Sequence, residues 1–326
     1  MALDARPMAQ CSAEGSALSA PRVLIVRFSA IGDCVMAAWA VSGLRQSAPE
    51  AHIVWAVQDR CADVIATPAL VNEVAIVDRT VWKRRRSDPR TWIAQLKAFS
   101  ALRKHNFEFG FDLQGHSKTA LCLKLSGAKQ RFTNRGTDAL AKRLNTFVEC
   151  GVTQVHEAEA ARRLLQKVTA FENPVLPIMP DVTPTARKGV TIQTGSGHWK
   201  KAVAPEVWTE IGRGLIADGI PVTIIGAPGD PVLDLSGSVD LVGQRDLVGS
   251  MKEIASSQVH LSADTGSAHI AAAYGVPTLT VFGWTDPVRY KPNFDRAVVF
   301  RPEGGPSAVD PAEVVAKVKQ MIQEGA

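Results

Sequence analysis

The stretch DTGSAHIAAAYGVPTLTVFG, Asp264 to Gly283, decides how this chain reads. It begins where a strand ends, turns tightly at Thr265-Gly266, continues as a short helix of small residues, and runs into a second buried strand. Such a unit sets the helix N-terminus at the carboxyl edge of a parallel sheet. Backbone N–H groups with no partner inside the helix collect there, and they suit a phosphate. His269 falls in the first helical turn and adds a donor. The plainer reading of the same residues is a βαβ crossover with Ser267 as the helix cap.

Outward from this stretch the alternation continues in both directions. Strands are expected at VLIVRF (23–28), HIVWAV (52–57), EVAIVD (73–78) and FEFGFDLQ (107–114). Helices are expected at 34–46, 89–104 (basic and amphipathic), 117–125 and 156–171. After residue 189 come strands GVTIQTG (189–195), PVTIIGA (221–227), VDLVG (239–243), VHLSAD (259–264) and TLTVFG (278–283). Helices lie near 205–218, 246–257, 267–274 and 310–323. Strands alternating with helices predict an α/β chain with parallel sheets and right-handed crossovers. Between the two series lies NPVLPIMPDVTPTARKG (173–189), whose four prolines break helix and sheet alike. The expected organisation is therefore a disordered leader over 1–21 and a Rossmann-like domain over 22–175. A linker over 176–188 and a second Rossmann-like domain over 189–326 follow. Two such domains leave a cleft at the carboxyl edges of their strands.

Length agrees, since 326 residues exceed one ordinary core. The chain is 46% apolar with mean hydropathy near zero, and no run reaches the roughly 18 apolar residues of a membrane span. The first 21 residues lack the apolar core of a signal peptide, so a cytoplasmic protein is expected. Cysteines 11, 34, 61, 122 and 150 form no CxxC pair, which suits reduced, mostly buried thiols. Neither they nor the seven histidines show metal-ligand spacing, so no metal is expected.

Charge is unevenly spread. Residues 81–145 carry 15 Lys and Arg against four Asp and Glu, while the rest of the chain is net negative. KRRR (83–86), Arg103-Lys104 and KQR (129–131) stand out. A block of this kind points to an anionic partner, or else to a solvated surface. Nucleic acid is disfavoured, because no nucleic-acid motif is present and few aromatics interleave with the charges. No GxGxxG follows the first strand, and neither GxxxxGK[ST] nor GxSxG occurs.

Three loops carry candidate chemistry. Asp33 ends the first strand-to-helix turn, SAIGD, and is read either as a general base or as an N-cap. In GSGHWKK (195–201), Gly195 and Gly197 let backbone approach a ligand, Ser196 offers a hydroxyl, and Lys200 or Lys201 offers a cation for a leaving phosphate; a flexible loop is the alternative. In GAPGD (226–230), Asp230 is read as a partner for ribose hydroxyls or as a turn residue.

Together these motifs resemble the ADP-heptose:lipopolysaccharide heptosyltransferases of glycosyltransferase family 9, from about Val23 to beyond Pro287. DTGSAHIAAAYGVPTLTVFGWTDP (264–287) is similar to the family's donor-site signature. VLIVRFSAIGDCV, FDLQGHSKTALCLKLSGAKQR (111–131), GSGHWKK and GAPGD follow in the family's order. The resemblance implies a GT-B fold, two Rossmann-like domains with parallel sheets facing a central cleft. The first domain would bind acceptor and the second a nucleotide sugar. It implies inverting transfer of heptose from ADP-heptose to the lipopolysaccharide inner core, with no cofactor or metal required. On that basis Asp33 is the base. Asp264, Thr265, Gly266, Ser267 and His269 hold the diphosphate, with Ser196 and Gly197 beside them and Asp230 near the ribose. A phosphate-binding lysine falls at Lys200 or Lys201. The family usually has Trp-Pro just after it, where this chain reads AVAP, and Lys201 is favoured. Gln114, His116, Lys118 and Arg131 are assigned to acceptor binding, and Trp199 and Trp284 to a ligand contact or to packing. The acceptor would be an anionic glycolipid, reached by peripheral contact with the cytoplasmic face of the inner membrane, which suits the basic block. The alternatives are a family 9 transferase using another nucleotide sugar, a GT-B nucleotide-sugar 2-epimerase, or a non-enzymatic sensor.

Overall fold

Val23, Leu24, Ile25 and Val26 expose no surface at all, a condition met only in a sheet covered on both faces. The computed structural model describes residues 20–78, 85, 87–182, 184 and 186–325. The expected leader up to residue 19 and all of KRRR except Arg85 lie outside the described residues.

The first sheet contains β1 (Arg22–Val26), β2 (His52–Gln58), β3 (Glu73–Val77), β4 (Phe109–Asp112), β5 (Gln130–Thr133) and β6 (Thr146–Phe147). The second contains β7 (Val190–Gln193), β8 (Val222–Ile225), β9 (Val239–Asp240), β10 (Val259–Ala263), β11 (Thr278–Val281) and β12 (Ala297–Phe300). Their orders are β3-β2-β1-β4-β5-β6 and β12-β11-β10-β7-β8-β9, and every pairing is parallel. The two-sheet α/β architecture expected from the alternation is thus present. Strands β5, β6 and β12 and the helix Ala139–Leu144 were not anticipated. They are short, and QRFT and TF show neither a clean alternation nor an apolar run. The helix expected over 156–171 ends at Leu165.

Strand order places the site. In the first sheet, the order in which strands are added reverses between β1 and β4; in the second it reverses between β7 and β10. Open α/β sheets bind ligands beyond the carboxyl ends of strands at such switch points. Those ends carry SAIGD after β1, LQGH after β4, GSGHWKK after β7 and the Asp264 turn after β10.

The proline-rich segment is tied down on both sides. Trp39 Nε1 donates to Val175 O at 3.3 Å, Ile178 N donates to Ser42 Oγ at 2.8 Å, and Tyr274 Oη donates to Pro180 O at 2.7 Å. Trp39 and Ser42 lie on the first helix, Ile31–Ser47, and Tyr274 ends the helix Gly266–Ala273. These two helices pack on each other, so one apolar cluster runs from the first sheet's helices into the second half.

The basic amphipathic helix expected over 89–104 forms over Pro89–Ala101 and runs on as a 3₁₀ turn, Leu102–His105. Thr91, Gln95 and Phe99 face the interior, while Trp92, Ile93 and Leu96 face outward. Cys34, Cys61, Cys122 and Cys150 are buried free thiols, and Cys11 lies outside the described residues. Among the described residues, no helix is long and apolar enough to cross a membrane.

Candidate active site

The N-termini of the helices Ile31–Ser47 and Gly266–Ala273 meet through two glycines. A Cβ on Gly266 would sit 3.1 Å from Ile31 Cγ2 and 3.2 Å from Gly32 N. A Cβ on Gly32 would sit 2.7 Å from the His269 ring and 3.3 Å from Gly266 Cα. Two helix N-termini, each a partial positive charge, therefore converge on one cavity of about 550 Å³ between the sheets. Asp33 lines it from the first half; Lys201, Asp264, Thr265, Gly266 and His269 line it from the second.

Asp33 occupies the third residue of its helix, not the N-cap, which is Ala30. Its Oδ2 accepts from Ala30 N at 3.0 Å and pairs with Arg27 Nη2 at 2.6 Å. Burial works to raise the Asp33 pKa, but the Arg27 guanidinium, the Ala30 N–H and the Arg135 charge together hold the carboxyl below its ordinary value. Arg27 itself is buried, and its backbone oxygen accepts from Trp55 Nε1 at 3.4 Å. The sequence reading missed Arg27. A cation ending an otherwise apolar strand needs a carboxylate partner, and Asp33 is the next acid along the chain.

Lys201 ends a single 3₁₀ turn after β7, and its Nζ reaches Asp264 Oδ2 at 2.6 Å. Thr285 Oγ1 donates to the same oxygen at 2.6 Å. Asp264 is buried and so aims a half-buried lysine at the cavity. Lys200 points elsewhere. Its Nζ lies 5.4 Å above the Trp199 ring and borders a separate cavity with Arg301 and Pro306. Trp284 walls both cavities, and Trp199 only the second.

At the Asp264 turn, Thr265 is the N-cap residue and makes no side-chain cap bond, so it leaves the first helical N–H groups to a ligand. Ser267 is not the cap. Its hydroxyl lies 2.9 Å from Thr265 Oγ1 and 3.0 Å from His260 Nε2. His260 Nδ1 contacts Thr191 Oγ1 at 2.8 Å, which extends a polar chain beneath the turn. Burial pushes the His260 pKa down to about 3, so it props up the turn as a neutral ring. His269 is also held neutral, its pKa lowered to about 4 by burial, and its buried Nδ1 has no partner among the described residues. It offers a neutral imidazole to the cavity, not a cation.

Ser196, Gly197 and Asp230 do not line the cavity. Ser196 Oγ donates to His198 O at 2.9 Å in an exposed turn, next to the open Gly197. Asp230 Oδ2 accepts from Ala227 N at 2.7 Å and from Gln193 Nε2 at 3.2 Å, closing the GAPGD turn.

The expected acceptor residues scatter. Gln114 Oε1 accepts from Phe28 N at 3.0 Å and clasps the β4 loop to the end of β1. His116 and Lys118 are exposed at the start of the helix Ser117–Leu125. The Arg131 guanidinium donates to Ala128 O at 3.0 Å and Leu144 O at 3.3 Å, and so braces the amino-terminal ends of β5 and β6.

The sequence reading also missed a three-residue ion cluster. Glu157 is buried and pairs with both Arg135 and Arg289, the latter at 2.7 Å. Arg135 follows β5 and Arg289 follows β11, so a single carboxylate bridges the two halves at the cavity's edge. Burial, with the Arg27 charge adding to it, lowers the Arg135 pKa to about 10. Among the described residues no group of three or more His, Cys, Asp or Glu is placed to hold a metal ion.

A model of glycosyltransferase family 9 (heptosyltransferase) matches residues 95–311. The chain is 27% identical over 296 residues to lipopolysaccharide heptosyltransferase 1 of Escherichia coli strain K12, covering 82% of this chain and 89% of that protein. Its fold is similar to that of E. coli heptosyltransferase WaaC with ADP, with TM-score 0.78 and 23% identity over 94% of this chain and 100% of that one. It is also similar to E. coli ADP-heptose lps heptosyltransferase II, with TM-score 0.74 and 18% identity over 94% and 100%. These likenesses make the two-sheet architecture a GT-B fold.

Proposed function

The chain belongs to glycosyltransferase family 9, and from that premise we propose that its cavity transfers heptose from ADP-heptose to the inner core of lipopolysaccharide with inversion at the anomeric carbon. The observation that carries this reading is the single cavity shared by Asp33 from one sheet and by Lys201, Gly266 and His269 from the other.

Asp33 receives the proton of an acceptor hydroxyl. Ala30 N and Arg27 Nη2 both bind Oδ2, so Oδ1 is the oxygen turned to that task. The hydroxyl oxygen attacks the anomeric carbon from the face opposite ADP. The bond from that carbon to the diphosphate oxygen breaks, and negative charge grows on the leaving ADP. The helix dipole, the N–H groups at Gly266 and Ser267, the Lys201 ammonium and the neutral His269 N–H stabilise that charge. Asp264 keeps Lys201 in place. Arg135 and Arg289 share one carboxylate and keep a net positive charge at the rim, suited to an anionic glycolipid acceptor.

Calorimetric titration with ADP, UDP, GDP and NAD, without added metal, tests the donor. ADP is expected to bind selectively; a preference for UDP or GDP rejects ADP-heptose. In the same experiment Lys201→Ala weakens ADP by about tenfold to a hundredfold, the worth of a charge-assisted hydrogen bond. Unchanged affinity in that variant removes Lys201 from the donor site.

A further inference from the structure

We propose that the helix Pro89–Ala101 lays its outer face into the surface of an anionic lipid bilayer. This rests on the reading of the acceptor as a membrane-held glycolipid and identifies the surface that meets the membrane.

The helix is inside out for a soluble domain. Polar Thr91 and Gln95 are buried beside Phe99, while Trp92, Ile93 and Leu96 are 43%, 51% and 39% exposed. At 100° per residue, Trp92, Leu96 and Ile93 form one stripe, with Arg90 and Lys97 along its edge. A contiguous apolar face on a surface helix marks an interaction site. An interfacial helix carries this pattern, with Trp and Leu for the acyl boundary and cations for the headgroups.

Charge selects the occupant. Arg85, Arg90, Lys97, Arg103 and Lys104 fall between residues 85 and 105, where the sole acid is Asp88. Asp88 is committed as the helix cap, accepting from Arg90 N at 2.9 Å. A second copy would bring the same cations to the same face, whereas an anionic bilayer complements them.

The position serves the cavity. On the inner side Phe99 stacks on Phe28, ring centroids 6.1 Å apart, and Phe28 leads directly into the turn bearing Asp33. A docked helix therefore holds the acceptor side of the cleft close to the lipid surface.

Flotation with vesicles of phosphatidylethanolamine and phosphatidylglycerol (3:1), and with phosphatidylcholine alone, tests this. The full chain should float with the first and not with the second. Replacing Trp92, Ile93 and Leu96 together by Ser should reduce partitioning about tenfold or more. The Arg90→Gln/Lys97→Gln variant should lose about fivefold per charge. Both variants should keep ADP affinity and should transfer sugar to a deacylated, water-soluble acceptor at the parent rate. If the serine variant loses ADP affinity as well, the charge variant decides alone. The proposal is overturned if the parent does not float, or if the variants float as it does. It is equally overturned if the serine variant floats unchanged but converts a dimer to a monomer. Serine-sensitive flotation in a protein that does not bind ADP would keep the docking face and reject the heptosyl reading.

Discussion

Asp33→Ala lowers turnover by about 10²- to 10⁴-fold, the range for a lost general base, while ADP binds as before. The split follows from position, because Asp33 enters the cavity from the first sheet and the expected diphosphate groups enter from the second. Steady-state rates with a saturating donor, alongside calorimetry with ADP, separate the two effects. Transfer at the parent rate would sink the assignment. The pH profile gives a second readout. Burial raises the Asp33 pKa, but Arg27, the Ala30 N–H and Arg135 together overcome it, so the carboxylate stays ionised well into the acid range. A carboxyl of lowered pKa stabilises the fold above its unfolded value and loses that contribution as pH falls through the folded one. In Arg27→Met only the Ala30 N–H and the Arg135 charge still oppose burial, so the pKa rises and the acid limb of kcat/KM moves to higher pH. A low-pKa carboxylate is a weak base in the ground state. The proton therefore moves late, once attack has made the hydroxyl acidic.

Glu157→Ala destabilises the protein by about 3–5 kcal/mol, the cost of removing one partner from a buried ion cluster. Glu157 is 7% exposed and faces two arginines. Without it, Arg135 and Arg289 are left as half-buried cations with no carboxylate between the halves. For a chain of this size that is a fall of roughly 10 °C in the first thermal transition. Adding Arg289→Met to Glu157→Ala should recover part of the loss, since it removes one stranded charge. A melting temperature within experimental error of the parent would show that the cluster is worth no more than a surface pair.

The helix–strand alternation, the two series of strands and the Asp264 turn were legible because they depend on neighbours. An apolar β-branched run such as VLIV, or a glycine at the start of a small-residue helix, acts through residues a few positions away. Lys201 was favoured over Lys200 on motif alignment alone, and the fold aims Lys201 at the cavity by way of Asp264, 63 residues later. The charge of Arg131 was visible in the sequence, whereas the carbonyls of Ala128 and Leu144 that it binds were not.

By itself, then, the sequence determined the α/β character of this protein, its two sheets and the loops that carry chemistry, all properties set by local periodicity and turn geometry. Tertiary structure alone decided the rest. Strand order set the switch points that gather those loops. The approach of Gly32 to Gly266 set how closely the two helix N-termini meet. The pairing of Glu157 with arginines from both halves, and the outward face of Trp92, Ile93 and Leu96, were settled the same way. Each depends on groups far apart along the chain, whose contact becomes favourable only once the chain has packed and water has left between them.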